Sequence, residues 1–283
     1  MRARRTVGTF AMIITLTATA SCATGSGPSQ VTSSPPPVTG ERLPELSEPD
    51  SAESDTESAT LNDLYECGDR QSPDGDRLRG GRMYDYQPFA TIGDAVDTVE
   101  TAVVGRITDW RAGRSVIEDD TAFRYAVIEV AVDQSFKEDR RDTIYIEFEL
   151  GNDIVDEFGQ VVRGPFSTNL LTIDDAKDAA PIGTPVIFLG DEIAAENDPH
   201  RKVVDPDAGL PAGEAPHGSY PQGLLLRNCD GSVTSAMAET RDIDEWVVSE
   251  AALVDDSTLR KATDPGSFDL LVNAALLFDQ SSE

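Results

Sequence analysis

The 283-residue chain carries 52 acidic and 23 basic side chains, a formal net charge of −29. So large an acidic excess argues against nucleic acid as a partner, because phosphate binding needs a basic footprint, and against docking on anionic lipid headgroups. It suits a domain kept soluble and self-repelling in a salty, cation-rich exterior.

The N-terminus predicts export. Arg2, Arg4 and Arg5 form a positive segment, Val7 to Ala20 holds no charge, and the small residues Ala18, Thr19, Ala20 and Ser21 lead into Cys22. This is the anatomy of a cleaved signal over residues 1–21, with an apolar run short for a permanent spanning helix. Thr19-Ala20-Ser21-Cys22 resembles a lipobox, which implies lipidation (diacylglycerol, palmitate) at Cys22 and a lipoprotein on the outer face of the cytoplasmic membrane. Ala18-Thr19-Ala20 offers the alternative, a cut by ordinary signal peptidase and a secreted product. Cysteine parity favours the first. The chain has three cysteines, Cys22, Cys67 and Cys229, and an oxidising exterior calls for an even number. A thioether at Cys22 leaves Cys67 and Cys229 as one structural disulfide.

Residues 22–60 are the lipidated cysteine and a tether rich in Ser, Thr, Pro and Glu, with Pro35-Pro36-Pro37 at its centre and Arg42 its one basic residue. Too few apolar side chains are present to offset ordering entropy, so the segment is expected to be disordered, with a reach on the order of 35 Å. The β domain is expected over 61–240. Residues 68–88, rich in Gly, Asp and Arg, read as an irregular lead-in. Thr91 then caps a short helix whose Ile92, Ala95, Val96 and Val99 share a face.

Strands follow. Val103, Gly105 and Ile107 alternate along the first, and Ala126, Ile128, Val130 and Val132 give one face of a long second. Ile144, Ile146, Phe148 and Leu150 alternate with Tyr145, Glu147 and Glu149 in the third, the period of two of a half-buried strand. Val186 to Leu189 is a fourth. Leu224 to Leu226 and Ser232 to Met237 are two short strands joined at Asn228-Cys229-Asp230-Gly231, where Asp-Gly signals a hairpin. Five or six antiparallel strands in a domain of this size point to a small closed or partly open barrel, which removes exposed edges.

Residues 241–283 are expected to form two helices on the barrel. Asp242 with Glu245 has the spacing of a capping box ahead of a stripe of Ile243, Trp246, Val247, Ala251 and Val254. Pro265-Gly266 breaks the chain, and Ser267 starts a last helix carrying Phe268, Leu271, Val272, Ala275 and Leu276 through Phe278. The fold class is thus mainly β with flanking helices, a disordered stalk and two C-terminal helices.

Candidate chemistry is sparse. Both histidines, His200 and His217, fall in an acidic stretch, 190–221, read as a surface loop. With Asp205 and Asp207 they form a conceivable divalent-metal set, against the plainer reading of two incidental histidines. Tyr220-Pro221-Gln222-Gly223 reads as a conformational corner with a bulge at the start of a strand, and Tyr220 and Gln222 as candidate ligand contacts. The G-x-S-x-G elbow, the H-E-x-x-H pair and the Walker loop are absent from the sequence, and no cofactor is expected.

The run Val103-Val104-Gly105-Arg106-Ile107, the strand Tyr125 to Phe136 ending in Lys137, Ile144-Tyr145-Ile146, Val186-Ile187-Phe188-Leu189 and Tyr220-Pro221-Gln222-Gly223 resemble uncharacterised exported lipoproteins of high-GC Gram-positive bacteria. The first two are also similar to OB-like barrels of the netrin and tissue-inhibitor type. That resemblance implies an OB-like barrel and protein binding. The leading expectation is a membrane-anchored, non-enzymatic binding or structural module for an envelope protein or cell-wall ligand. A cell-envelope hydrolase and a divalent-metal-binding module using 190–221 are the alternatives.

Overall fold

A computed structural model describes residues 67, 71–80, 82–137, 141–156, 158, 160–162, 170–195, 198–254, 258 and 261–281. All lie in the compact unit Thr56–Glu283. The expected signal peptide, Cys22 and the expected tether fall outside the described residues.

The elements in chain order are α1 (Gly75–Arg79), α2 (Ile92–Thr98), β1 (Thr101–Glu118), β2 (Thr121–Ser135), β3 (Thr143–Ile154), α3 (Ile173–Ala179), β4 (Pro185–Glu192), β5 (Arg201–Val204), β6 (His217–Arg227), β7 (Val233–Ser235), α4 (Thr240–Leu253) and α5 (Ser267–Ser281). Hydrogen-bonded neighbours run β1-β2-β3-β6-β4 and back to β1, so five strands close into a barrel. One seam differs from the all-antiparallel expectation: β3 and β6 pair parallel, through Ile146 with His217 and Glu147 with Gly218. The segment between β3 and β4 makes this possible, because α3 carries the chain across the barrel end before β4 and β6 form. With that order and one helix there, the barrel is OB-like.

Strand β1 is far longer than the alternation at 103–107 suggests, because it serves several partners. Its first six residues pair with β4, the stretch from Val103 to Glu118 with β2, and its last four residues with β5. Three register shifts let it coil around the barrel. At one of them Gly105 is required, since an added Cβ would stand 2.2 Å from the Ala131 carbonyl oxygen.

Two cores explain two kinds of strand. Ile144, Ile146, Phe148 and Leu150 of β3 point into the barrel with Ala126, Ile128 and Val130 of β2, and the outer face of β3 carries Glu147 and Glu149. The apolar runs of β4 and β6 are buried on both sides. Val186, Phe188, Leu224 and Leu226 fill the barrel, whereas Ile187, Leu189 and Leu225 join Val104 beneath α2, α4 and α5. Trp110 closes one end. It is 2 % exposed, its Nε1 donates to the Ala180 carbonyl at 3.0 Å, and its ring meets Phe148 edge-on.

Both C-terminal helices cover the barrel as expected, with Trp246, Val247, Phe268 and Leu271 fully buried. The capping box expected at Asp242 and Glu245 does not form. Helix α4 starts earlier, at Thr240, and Asp242 is instead a buried acceptor for the Tyr86 hydroxyl at 2.5 Å. Two helices escaped the sequence pattern. Helix α3 has a true capping box, Thr172 with Asp175, and α1 sits inside the lead-in, capped by Asp74. The 190–221 stretch is not loop throughout: β4 runs to Glu192, β5 occupies 201–204, and β6 begins at His217.

Candidate functional site

The site begins as an irregularity in one strand pair. On β6, Ser219 pairs with Gly190 and Leu224 with Phe188, so Leu189 alone faces the four residues Tyr220–Gly223. This is the bulge expected from Pro221 and Gly223. Proline lacks a ladder donor and is tolerated where pairing is interrupted. Gly223 is needed because a Cβ there would lie 2.0 Å from the Leu189 carbonyl oxygen. The extra length re-aims side chains: the Tyr220 ring stands half-buried at the surface, whereas Gln222 turns inward and is 1 % exposed.

The lead-in segment 86–89 closes over this bulge. Gln222 Oε1 accepts from the Phe89 backbone N–H at 2.7 Å, and Trp246 Nε1 of α4 donates to the Phe89 carbonyl at 2.8 Å. Phe89 meets Tyr220 edge-to-face, with ring centroids 5.3 Å apart. Tyr86 is tied to α4 through Asp242. Between the two strips lies a cleft of about 440 Å³ lined by Tyr86, Gln87, Pro88, Phe89, Thr98, Tyr220, Pro221 and Gln222. That volume falls within the range of small-ligand and peptide pockets. A smaller hollow of about 150 Å³ adjoins it, sharing Tyr86 and Pro88 and edged by Arg79, Arg82, Glu239, Arg241 and Asp242 among others.

Its polar groups are mostly committed. The Tyr220 hydroxyl donates to Asp191 Oδ2 at 3.1 Å, and the Thr98 hydroxyl to the Asp94 carbonyl at 2.8 Å. The Asp191 hydrogen bond, then burial and the Asp191 and Glu100 charges, push the Tyr220 phenol above its usual range. Burial, followed by the Asp242 hydrogen bond and charge, pushes Tyr86 further up. Both phenols therefore stay protonated at neutral pH and act as fixed donors to carboxylates, not as acid–base groups. The exceptions are Gln87, exposed at the cleft, and Gln222. Its Oε1 must accept from Phe89, which fixes the amide orientation, and its Nε2 has no acceptor among the described residues. A buried donor left unmet costs about 1–3 kcal/mol.

The candidate metal set is not assembled. His200 is exposed in the turn before β5, its backbone N–H bonded to Asp198. Asp205 and Asp207 are exposed, and their carbonyls hold the turns to Ala208 and Leu210. His217 is 1 % exposed, edge-on to Phe188, and accepts from Arg141 Nη1 at 3.2 Å. The sequence placed it on a surface loop; the parallel seam with β3 buries it. Among the described residues no group of three or more His, Cys, Asp or Glu is placed to hold a metal.

Cys67 and Cys229 are disulfide-bonded, with Cα atoms 5.3 Å apart. The bond staples the lead-in to the β6–β7 turn, where Cys229 N–H also donates to Ser72 Oγ. No helix among the described residues is long and apolar enough to cross a membrane.

Sequence reasoning singled out Tyr220 and Gln222 and missed Tyr86, Phe89 and Trp246. The available signal was the Tyr86-Gln87-Pro88-Phe89 run, two aromatics around a proline at the end of an otherwise Gly-, Asp- and Arg-rich segment. No family model, curated protein or solved structure matches the chain.

Proposed function

We propose that the chain is an extracytoplasmic lipoprotein anchored through Cys22, whose barrel is a non-enzymatic binding module for an envelope protein or cell-wall ligand. The observation supporting binding is the cleft over the β6 bulge, about 440 Å³ and walled mainly by Tyr86, Pro88, Phe89, Tyr220 and Pro221. Neither histidine lines it, and its two phenols are locked onto carboxylates. Anchoring rests on the order of positive segment, apolar run and Cys22, and on the pairing of the other two cysteines with each other.

Two experiments test the reading. Metabolic labelling with palmitate is expected to mark the wild type, and Cys22→Ala to abolish the label and release protein into the medium. An unlabelled wild type would sink the anchor. Full-length protein immobilised on beads is expected to retain envelope components that a Tyr220→Leu variant of unchanged melting temperature does not. Identical retention by both proteins would remove the cleft from the function.

A further inference from the structure

Away from the cleft, the turn that leads into β5 carries chemistry of its own. The chain has three Asp-Pro dipeptides, at 198–199, 205–206 and 264–265. In each, the proline makes the joining amide tertiary, so its nitrogen takes a proton and departs more readily than that of an ordinary amide. Each aspartate carboxylate is also within ring-closing reach of its own carbonyl carbon. We propose that the fold singles out one of the three: the chain cuts its own Asp198–Pro199 peptide bond, with Asp198 as nucleophile and water as the only co-reactant.

Two backbone donors distinguish this bond. Asp198 Oδ1 accepts from the His200 N–H at 2.9 Å, which holds the carboxylate on the C-terminal side of its residue, beside the peptide group to be cut. The Asp198 carbonyl oxygen accepts from the Arg201 N–H at 3.1 Å, so a donor stands within roughly 2.7–3.1 Å of where negative charge develops. That donor is fixed from outside the turn. Arg201 pairs with Glu118 of β1, and its Nε donates to Glu118 Oε2 at 3.1 Å. Asp198 and Pro199 are exposed, which admits the water and the proton. At the other two bonds the carbonyls also accept a backbone N–H, from Ala208 and Ser267, but the carboxylates are placed differently. Asp264 Oδ2 is drawn back to the Lys261 N–H at 3.0 Å. No hydrogen bond among the described residues holds the Asp205 carboxylate on its proline side.

The step balances with water alone. The Asp198 carboxylate adds to its own carbonyl carbon, and the oxyanion that forms keeps the Arg201 N–H as donor. The C–N bond to Pro199 then breaks; its electron pair stays on nitrogen, which takes a proton from solvent and leaves as a secondary amine. Water opens the cyclic anhydride left on Asp198 into a side-chain and a main-chain carboxyl. Attack within one residue, in a held geometry, is what makes a weak carboxylate nucleophile sufficient. The cut falls between β4 and β5, with Cys67 on one piece and Cys229 on the other, so the disulfide keeps the pieces joined. Strand β6 of the second piece also stays paired with β3 and β4 of the first, and the product is a barrel of two chains.

Purified full-length protein, held in mildly acidic buffer and sampled over time, tests the proposal by electrophoresis, intact mass and N-terminal sequencing. Two fragments are expected under reducing conditions, the smaller beginning at Pro199, and a single band without reductant. Asp198→Asn keeps an acceptor for the His200 N–H and removes the carboxylate; Asp198→Glu keeps the charge and lengthens the ring that must close. Both should stay intact, at unchanged melting temperature, over the time in which the wild type is half cut. Asp205→Asn and Asp264→Asn should be cut at 198–199 as the wild type is. In urea the preference for that bond over the other two should vanish. An uncut wild type, equal cutting of all three bonds in the folded protein, or a preference that survives in urea overturns the proposal. So does cutting that persists in Asp198→Asn, which marks a contaminating protease.

Discussion

Replacing Cys67 and Cys229 together by serine removes the covalent tie between the lead-in and the β6–β7 turn while leaving side chains of nearly the same size. The two cysteines are separated by 162 positions, so the bond closes most of the described domain into one loop. The chain-entropy relation assigns about 5 kcal/mol to a closure of that length. Net stabilities of single domains run at about 5–15 kcal/mol, so the bond accounts for a large share. For a domain of this size about 1 kcal/mol moves the midpoint by 2–4 °C, and the variant is expected to melt roughly 10–20 °C lower. Thermal scans and urea titrations of wild type, wild type with dithiothreitol, and the double serine variant measure this. The reduced wild type and the variant should coincide, which separates loss of the bond from loss of the sulfur atoms. A double variant melting within about 3 °C of the oxidised wild type would refute the loop-closure reasoning.

Three further outcomes follow from burial and electrostatics. Burial, opposed by a backbone hydrogen bond from Ile92 and reinforced by the Asp94 charge, raises the Glu250 carboxyl above its usual value. The stability it contributes is complete below the unfolded value and lost as pH rises through the folded one. Glu250→Gln should therefore melt higher than wild type near pH 7 and converge with it near pH 4 (about the ordinary glutamate value); a pH-independent offset would contradict this. Asp175 lies the other way, held down to about 2 by Thr172 first and by Arg77 next. Its contribution is present above the ordinary aspartate range and lost as pH falls toward 2, so the melting difference between wild type and Asp175→Asn should shrink from pH 4.5 to pH 2 (about the span between unfolded and folded values). Gly223→Ala puts a methyl 2.0 Å from the Leu189 carbonyl oxygen and is expected to cost about 3 kcal/mol, read as a lowered urea midpoint. An unchanged midpoint would mean the β4–β6 seam yields freely at the bulge.

Legibility followed the physics of each signal. Strand β3 was readable because one of its faces is apolar and fills the barrel while the other carries Tyr145, Glu147 and Glu149, and a strand with unlike faces alternates. Strands β4 and β6 were readable as apolar runs but not in extent, since the polar start of β6, His217 to Gln222, carries no periodicity; its pairing is set by β3 and β4 from outside. Helix α3 has its capping box plainly in Thr172 and Asp175, yet seven residues with two buried alanines make almost no apolar stripe. The Asp242–Glu245 spacing misled for the opposite reason: a local cap lost to Tyr86, 156 positions earlier in the chain.

The cleft shows the same division within a single feature. Pro221 and Gly223 announce a bulge locally, because one lacks a donor and the other a side chain. That the bulge makes a cleft depends on Phe89, which lies 133 positions away and is held by Gln222 on one side and by Trp246 on the other. Neither bond has a spacing that sequence can display. Gln222 uses its amide oxygen to place the wall of the cleft, and its amide nitrogen is buried without an acceptor among the described residues. One buried amide thus holds a wall that lies 133 positions away in the chain.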